Sequence, residues 1–173
     1  MGVAADDSGR VVSGPVTPDP EAVAACWADF CAASGVEGEP EDVYSFGDSA
    51  AMADALADLV LVGTKRATAG AMVDCLEQGY VPGVDDHSVV VRGDGWPVAV
   101  LRTTDVRVGP LSSVDEAFAW DEGEGDRTRA WWVAGHSAYF RRWFAATGRP
   151  ADDDPELVFE RFAVVWPRER ADA

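Results

Sequence analysis

The sequence predicts an α+β fold in which a small mixed or antiparallel sheet, curled toward a β-barrel, is packed by α-helices. Three observations carry this expectation. Two β-rich runs, Ser88–Arg92 and Pro97–Thr104, are separated only by Gly93-Asp94-Gly95 and Trp96, which makes a hairpin and leaves no room for the crossover helix of a doubly wound sheet. The run Leu157–Trp166 is β-branched and aromatic and stops at Pro167, as expected of a closing strand. Elsewhere, apolar residues recur at helical spacing over several stretches of ten or more residues.

Taken in order, residues 1 to about 20 are rich in Gly, Ser, Asp and Pro with little apolar periodicity, and read as a flexible arm. Val23, Cys26, Trp27 and Phe30 then share one helical face in a segment that begins at Glu21 and stops at Gly35. An acidic loop follows over 36–42, and Val43 to Phe46 is a short extended piece. A second helix is expected from Ser49 to Val62, with Asp48 or Ser49 as N-cap and Met52, Leu56, Leu59 and Val60 on the buried stripe. Gly63 ends it as a left-handed cap, and the chain enters a strand over Thr68–Val73. After the turn at Pro82-Gly83 come the hairpin strands, the second of which continues through Asp105–Val108, and a short helix over Ser113–Trp120. The longest helix is expected over Arg127–Thr147, ended by Gly148-Arg149-Pro150. One domain over 21–167 and a tail over 168–173 account for the chain.

Apolar residues make up 47% of the chain and include seven Trp and seven Phe, a composition able to form a core. No apolar run is long enough to span a bilayer. The N-terminus lacks the charged-then-apolar order of a signal peptide, so the default expectation is a soluble, cytoplasmic protein without membrane partners. The three cysteines, Cys26, Cys31 and Cys75, have no Cys-x-x-Cys pairing and are expected reduced and in the core. The spacing of the two histidines suggests no metal site, and no cofactor is expected. The formal net charge of −17 disfavours long nucleic acid by repulsion. A small nucleoside, or a short single-stranded RNA in a locally basic pocket, is still an admissible partner.

Two blocks could carry chemistry. In Gly63-Thr64-Lys65-Arg66-Ala67-Thr68 a lysine amine precedes a threonine hydroxyl by three residues. Lysine is a base only where burial or a neighbouring cation lowers its pKa, and a threonine hydroxyl is a nucleophile only when a base takes its proton. The alternative is a solvated loop whose cations face the negative end of a helix. In Asp121-Glu122-Gly123-Glu124-Gly125-Asp126 the glycines permit turns that direct Glu122, Glu124 and Asp126 into a pocket. The alternative is an acidic collar on the helix that follows, with Asp126 as its N-cap. His136 lies one turn after Trp132 and either faces a cleft or is packed. Trp131 and Trp132 either stack on a base or fill the core. Arg66 either reads a carbonyl or phosphate or caps the preceding helix, and Thr128 offers a hydroxyl near the acidic block.

These blocks occur in a recognisable order. Phe46-Gly47-Asp48, the helix Leu56–Leu61, the GTKRAT block, Pro97–Val100 with Thr103–Val106, Phe118-Ala119 leading into the EGEGD block, Trp132-x-x-x-His136-x-x-x-Phe140 and Glu160-Arg161-Phe162 together resemble the ASCH domain family over roughly Ala22 to Trp166. The resemblance implies a small PUA-like β-barrel with a cleft under the Gly-x-Lys-x-x-Thr loop, and binding of RNA or nucleosides. A small bacterial relative removes the acetyl group of N(4)-acetylcytidine with the motif's lysine as base, its threonine as nucleophile and a glutamate as proton donor. By motif these are Lys65, Thr68 and Glu124, with Glu122 as the competing acid. Gly63, Thr64, Arg66, Glu122, Asp126, Thr128, Trp132 and His136 would line the substrate. Another relative is a ribonuclease using the same lysine with nearby hydroxyls, for which Thr128 is the candidate here. The chain departs from the pattern in Ala69-Gly70 after the first block and in Trp131-Trp132-Val133, and it is longer than the small amidohydrolase.

Overall fold

A computed structural model describes residues 16–172; residues 1–15 of the expected arm lie outside them. Helix α1, Pro20–Ser34, starts where the Asp19 carboxylate accepts from the Glu21 and Ala22 amides and stops at left-handed Gly35. Strand β1 is Asp42–Tyr44 and helix α2 is Ala50–Leu61, N-capped by Ser49. Strand β2, Ala67–Ala71, runs directly into helix α3, Met72–Gln78. Strands β3, His87–Val91, and β4, Pro97–Pro110, form the expected hairpin. Helix α4, Glu116–Glu122, helix α5, Arg129–Ala146, and strand β5, Glu156–Trp166, complete the main elements.

The five strands make one curled sheet, a half-barrel in the order β1-β3-β4-β5-β2. Only β1 and β3 are parallel; the other three pairings are antiparallel. The α+β class and the PUA-like architecture expected from sequence are therefore present. The β4–β5 ladder is the longest, running from Val100↔Trp166 to Pro110↔Glu156. Its register shifts between Thr103 and Asp105, a bulge that bends the strand and re-aims the side chains beside it.

Strand alternation divides the sheet between two faces. One face carries Tyr44, Val90, Leu101, Phe162 and Val164, packed with Phe46 and the α2 residue Val60. Residues of α1, Val23, Trp27 and Phe30, cover Val89, Val91 and Val100 on the opposite side. Around the β2–β5 end, Leu157 and Phe159 meet Phe118 of α4 and Trp132, Phe140 and Phe144 of α5.

Several local expectations are corrected. The fully buried residues of α2 are Ala53, Ala57 and Val60, while Met52, Leu56 and Leu59 are half-buried. Leu56 still packs against the core cluster that Val60 joins, so the buried stripe is shifted toward the small residues, not lost. The expected strand over 68–73 ends at Ala71, and a helix takes Met72 and Val73. The short helix expected to stop at Trp120 extends through Glu122 because Gly123 supplies its left-handed cap. Thr128, not Asp126, caps α5: its Oγ1 accepts from the Trp131 amide while Asp126 accepts from the Thr128 hydroxyl. Cys26, Cys31 and Cys75 are free and half-buried; Cys26 and Cys31 pack against the core under α1, as expected, while Cys75 does not belong to a core cluster. Trp131, for which core was the default, is 39% exposed.

Candidate functional site

The GTKRAT block is shaped by the end of α2. The Thr64 amide donates to the Leu59 carbonyl and the Gly63 amide to Val60, the pair of bonds that defines a Schellman cap. The second Gly63 requirement, a left-handed backbone, is met at φ 85°. The Lys65 amide also donates to Leu59, and the Arg66 amide donates to the Asp121 carbonyl at 2.7 Å. This last bond ties the lysine loop to α4. Gly123, with φ 76°, lies against the Thr64 carbonyl so closely that a Cβ would collide with it. The two blocks, far apart in sequence, are thus joined backbone to backbone.

Between them lies Lys65, whose side chain is 1% exposed. Its Nζ donates to Glu124 Oε1 at 2.7 Å, and Glu122 Oε1 is 3.8 Å away. The ammonium also sits 5.2 Å from the centre of the Phe46 ring, a cation–π contact. Neither original alternative for these blocks, a solvated loop or a solvated collar, describes this arrangement. The lysine and both glutamates of the EGEGD block have been folded into one interior cluster.

The two glutamates differ in surroundings. Glu122 is 1% exposed. Burial pushes its pKa up, but Lys65, His136 and the Trp132 indole act against burial and hold it below the usual carboxylate range. The Trp132 N–H assists as a nearby dipole, since neither Trp132 Nε1 nor Glu122 Oε2 meets hydrogen-bond geometry with a partner. His136 stacks on Trp132 at 3.8 Å with its Nδ1 3.1 Å from the Trp132 carbonyl and its Nε2 3.3 Å from Glu122 Oε1. A carbonyl only accepts, so the contact at Nδ1 is a hydrogen bond in the tautomer that carries its proton there. Glu124, by contrast, keeps 18% of its side chain exposed and is the carboxyl of the pair that a ligand can reach.

Thr68 is half-buried on β2, directly opposite Glu160 of β5. Among the described residues no hydrogen bond joins Lys65 to Thr68; the lysine's hydrogen bond goes to Glu124. Phe46 links the two indirectly: it lies under the Lys65 ammonium and packs on Phe162, on the sheet face that also bears Thr68.

Other expected ligand contacts lie elsewhere. The Arg66 guanidinium bonds the Val60 and Lys65 carbonyls and Asp172, so the helix-capping alternative describes it. Trp132 is enclosed, with His136 on one face and Phe159 toward the other, and offers no free stacking surface. Thr128 and Asp126 are exposed and bonded to each other at the start of α5. Sequence reasoning left Glu160 without a role, although Thr103 and Glu160 are buried polar groups on the same sheet face as Thr68. The signal was available in the alternation of β5, where Glu160 interrupts Val158, Phe162 and Val164 on one face.

The model of the ASCH domain matches residues 42–166. The chain belongs to the ASCH domain family. The match spans β1 to β5 and therefore the whole sheet and both blocks of the site. An ASCH domain structure from Lactobacillus crispatus is 31% identical, with a TM-score of 0.73, and the alignment covers 84% of this chain and 94% of that one. A crystal structure of an Enterococcus faecalis protein is 29% identical with a TM-score of 0.77, covering 84% of this chain and 88% of that one. No curated protein matches the chain. Helix α1 begins before the matched ASCH region, and no helix among the described residues is long and apolar enough to cross a membrane.

Proposed function

We propose that this ASCH domain protein is a metal-independent amidohydrolase acting on N(4)-acylated cytidine or a similar modified nucleoside. The observation that carries the reading is the buried Lys65 ammonium bonded to the partly exposed Glu124 carboxylate at 2.7 Å, above Phe46, which packs on the sheet face that bears Thr68. Moving one proton along that bond converts the pair into a neutral amine and a carboxylic acid, which are the base and the acid an amide hydrolysis needs.

In this scheme Lys65 takes the Thr68 hydroxyl proton as Oγ1 attacks the acyl carbonyl carbon. The carbon–nitrogen bond of the adduct then breaks, and the N4 amine leaves with the proton of Glu124. Water hydrolyses the resulting threonine ester: Glu124 takes a proton from the water, its oxygen adds to the carbonyl, and Lys65 returns a proton to Thr68 as the carboxylic acid departs. This leaves the neutral amine and the carboxylic acid, and one proton passing back from Glu124 to Lys65 restores the resting ion pair. The reaction requires the Lys65 Nζ and Thr68 Oγ1 to come within about 3 Å, directly or through one water, when substrate is bound.

An RNA-binding role through phosphate contacts has less support, because Arg66 is committed to carbonyls and Asp172. A ribonuclease role for Thr128 has less support because its hydroxyl is engaged by Asp126 and the α5 amide. The test is to incubate the protein with a panel of acylated cytidines and short RNAs and follow products by mass. Release of cytidine and a carboxylic acid, lost by at least about a hundredfold in Lys65→Ala and Thr68→Ala, is the expected result. Wild type and both variants behaving alike on every substrate would overturn the site assignment.

A further inference from the structure

The sheet face that carries Thr68 has a second polar cluster with no part in the steps above. Glu160 is Thr68's direct cross-strand neighbour, and only 8% of it is exposed. The buried Thr103 hydroxyl donates to its Oε1 at 2.5 Å, which leaves Oε2 without a protein hydrogen bond among the described residues. Tyr44 rises from β1 on the same face, edge-on to Phe46 at 5.3 Å. Its hydroxyl oxygen is completely buried, close enough to feel the charge of Glu160, and has no hydrogen-bond partner among the described residues. A buried hydroxyl left unpaired is costly, so its retention beside a buried carboxyl points to a ligand that satisfies both.

We propose that Glu160, oriented by Thr103 and flanked by the Tyr44 hydroxyl, recognises the pyrimidine edge of the substrate, with Oε2–H donating to an unprotonated ring N3 and the Tyr44 hydroxyl donating to the adjacent carbonyl O2. This deepens the amidohydrolase reading, on which the choice of a cytosine ring rests. Three features of the geometry fit. The N4 acyl group lies beside N3 on a cytosine, just as Thr68 lies beside Glu160 across the strands, so one placement of the ring presents the carbonyl to the nucleophile. Phe46 touches both the Lys65 ammonium and Tyr44 and so joins the reacting groups to the recognising ones. The protonation state also suits donation: burial, aided by the charges of Asp42 and Asp86 and opposed by the Thr103 bond, pushes the Glu160 carboxyl up, and burial with Glu160, Asp42 and Tyr80 nearby keeps the Tyr44 hydroxyl protonated. A uracil ring carries a proton on N3 and would meet the Oε2 donor with a donor, so the same site selects cytosine.

The test is calorimetric titration of the full chain with cytidine, the product of the proposed reaction, and with 3-deazacytidine, which has C–H in place of N3. Wild type should favour cytidine by about tenfold or more, since a buried donor facing a C–H is left unpaired. Glu160→Gln keeps a neutral donor and acceptor and should hold cytidine affinity within about threefold, whereas Glu160→Leu should erase the preference. Tyr44→Phe guards against misfolding: it removes the unpaired hydroxyl, so its melting temperature should be unchanged or higher while cytidine affinity falls several-fold. No binding of cytidine by wild type, an intact preference in folded Glu160→Leu, or unchanged affinity in Tyr44→Phe would overturn the inference. Turnover of acylated cytidines, measured in parallel, reports separately on the amidohydrolase reading. A wild type that hydrolyses them while Glu160→Leu keeps the N3 preference refutes only the recognition role.

Discussion

Lys65 is an ammonium group enclosed by protein, and its charge is matched by Glu124 at 2.7 Å and Glu122 at 3.8 Å. Removing a charge from such a cluster leaves its partner buried and uncompensated. Lys65→Met is therefore expected to lose about 3–5 kcal/mol of stability, because Glu122 then keeps a buried charge. Adding Glu122→Gln should recover part of that loss, with a coupling of about 1–3 kcal/mol in a double-mutant cycle by urea denaturation. Strictly additive losses would show that Lys65 does not neutralise Glu122. The two unusual glutamates also predict opposite pH responses. Glu122 has a folded pKa below its unfolded value, so its contribution is present above the ordinary carboxylate range and is lost as pH falls through the lower folded value. Glu160 has a raised folded pKa; the folded state holds the proton longer, so its contribution is greatest at low pH and is lost as pH rises through the raised value. Thermal melts should accordingly find Glu160→Gln more stable than wild type near about pH 8, with the advantage vanishing toward about pH 4. An advantage independent of pH would contradict a retained Glu160 proton.

At the scale of elements, the site depends on the seam between the end of α2 and the end of α4. The Arg66 amide bonds the Asp121 carbonyl, and the Gly123 backbone lies against Thr64. Gly123→Ala would place a methyl group in a left-handed residue and against a backbone oxygen, neither of which a side-chain rotation relieves. A loss of about 2 kcal/mol or more in chemical denaturation is expected, together with a loss of activity, since the collision separates the lysine loop from the glutamates. Gly148→Ala is the matching control. It is also left-handed, at the end of α5, but has nothing within 4 Å of a would-be Cβ; it should show the backbone cost alone and leave activity intact. Equal effects of the two substitutions on activity would argue against the seam as the positioning element.

For the whole molecule, a net charge of −17 sets which partners approach. The cations of the site are not available to offset it, because Lys65 is paired inside and Arg66 is bonded to the chain. Binding of a neutral nucleoside should therefore change by less than about twofold between low and moderate salt, whereas a ligand held through its phosphates would lose affinity steeply over that range. Titrations of cytidine and of a short single-stranded RNA at several salt concentrations separate the two cases. A strong salt dependence for RNA with no nucleoside binding would favour the phosphate-binding alternative.

Local rules of the chain were enough for most of the architecture. Caps and breakers at Gly35, Ser49, Gly63 and Gly148 delimit helices where short-range chemistry demands it, and the glycine loop at 93–95 sets the hairpin. The pairing of the GTKRAT and EGEGD blocks was legible only through their resemblance to a family, since nothing in spacing brings two loops about sixty residues apart together. The sequence by itself determined the elements, the α+β class, the acidic exterior and the residue types available for chemistry. The tertiary structure decided the rest: that Glu122 is enclosed and Glu124 reachable, that Arg66 caps a helix, that Trp132 is core, and that Glu160 and Tyr44 share the face of Thr68. The physical reason is that burial, and the charge a carboxyl or an amine keeps there, depends on what the remainder of the chain packs against it, and a helix end or a strand register does not contain that information.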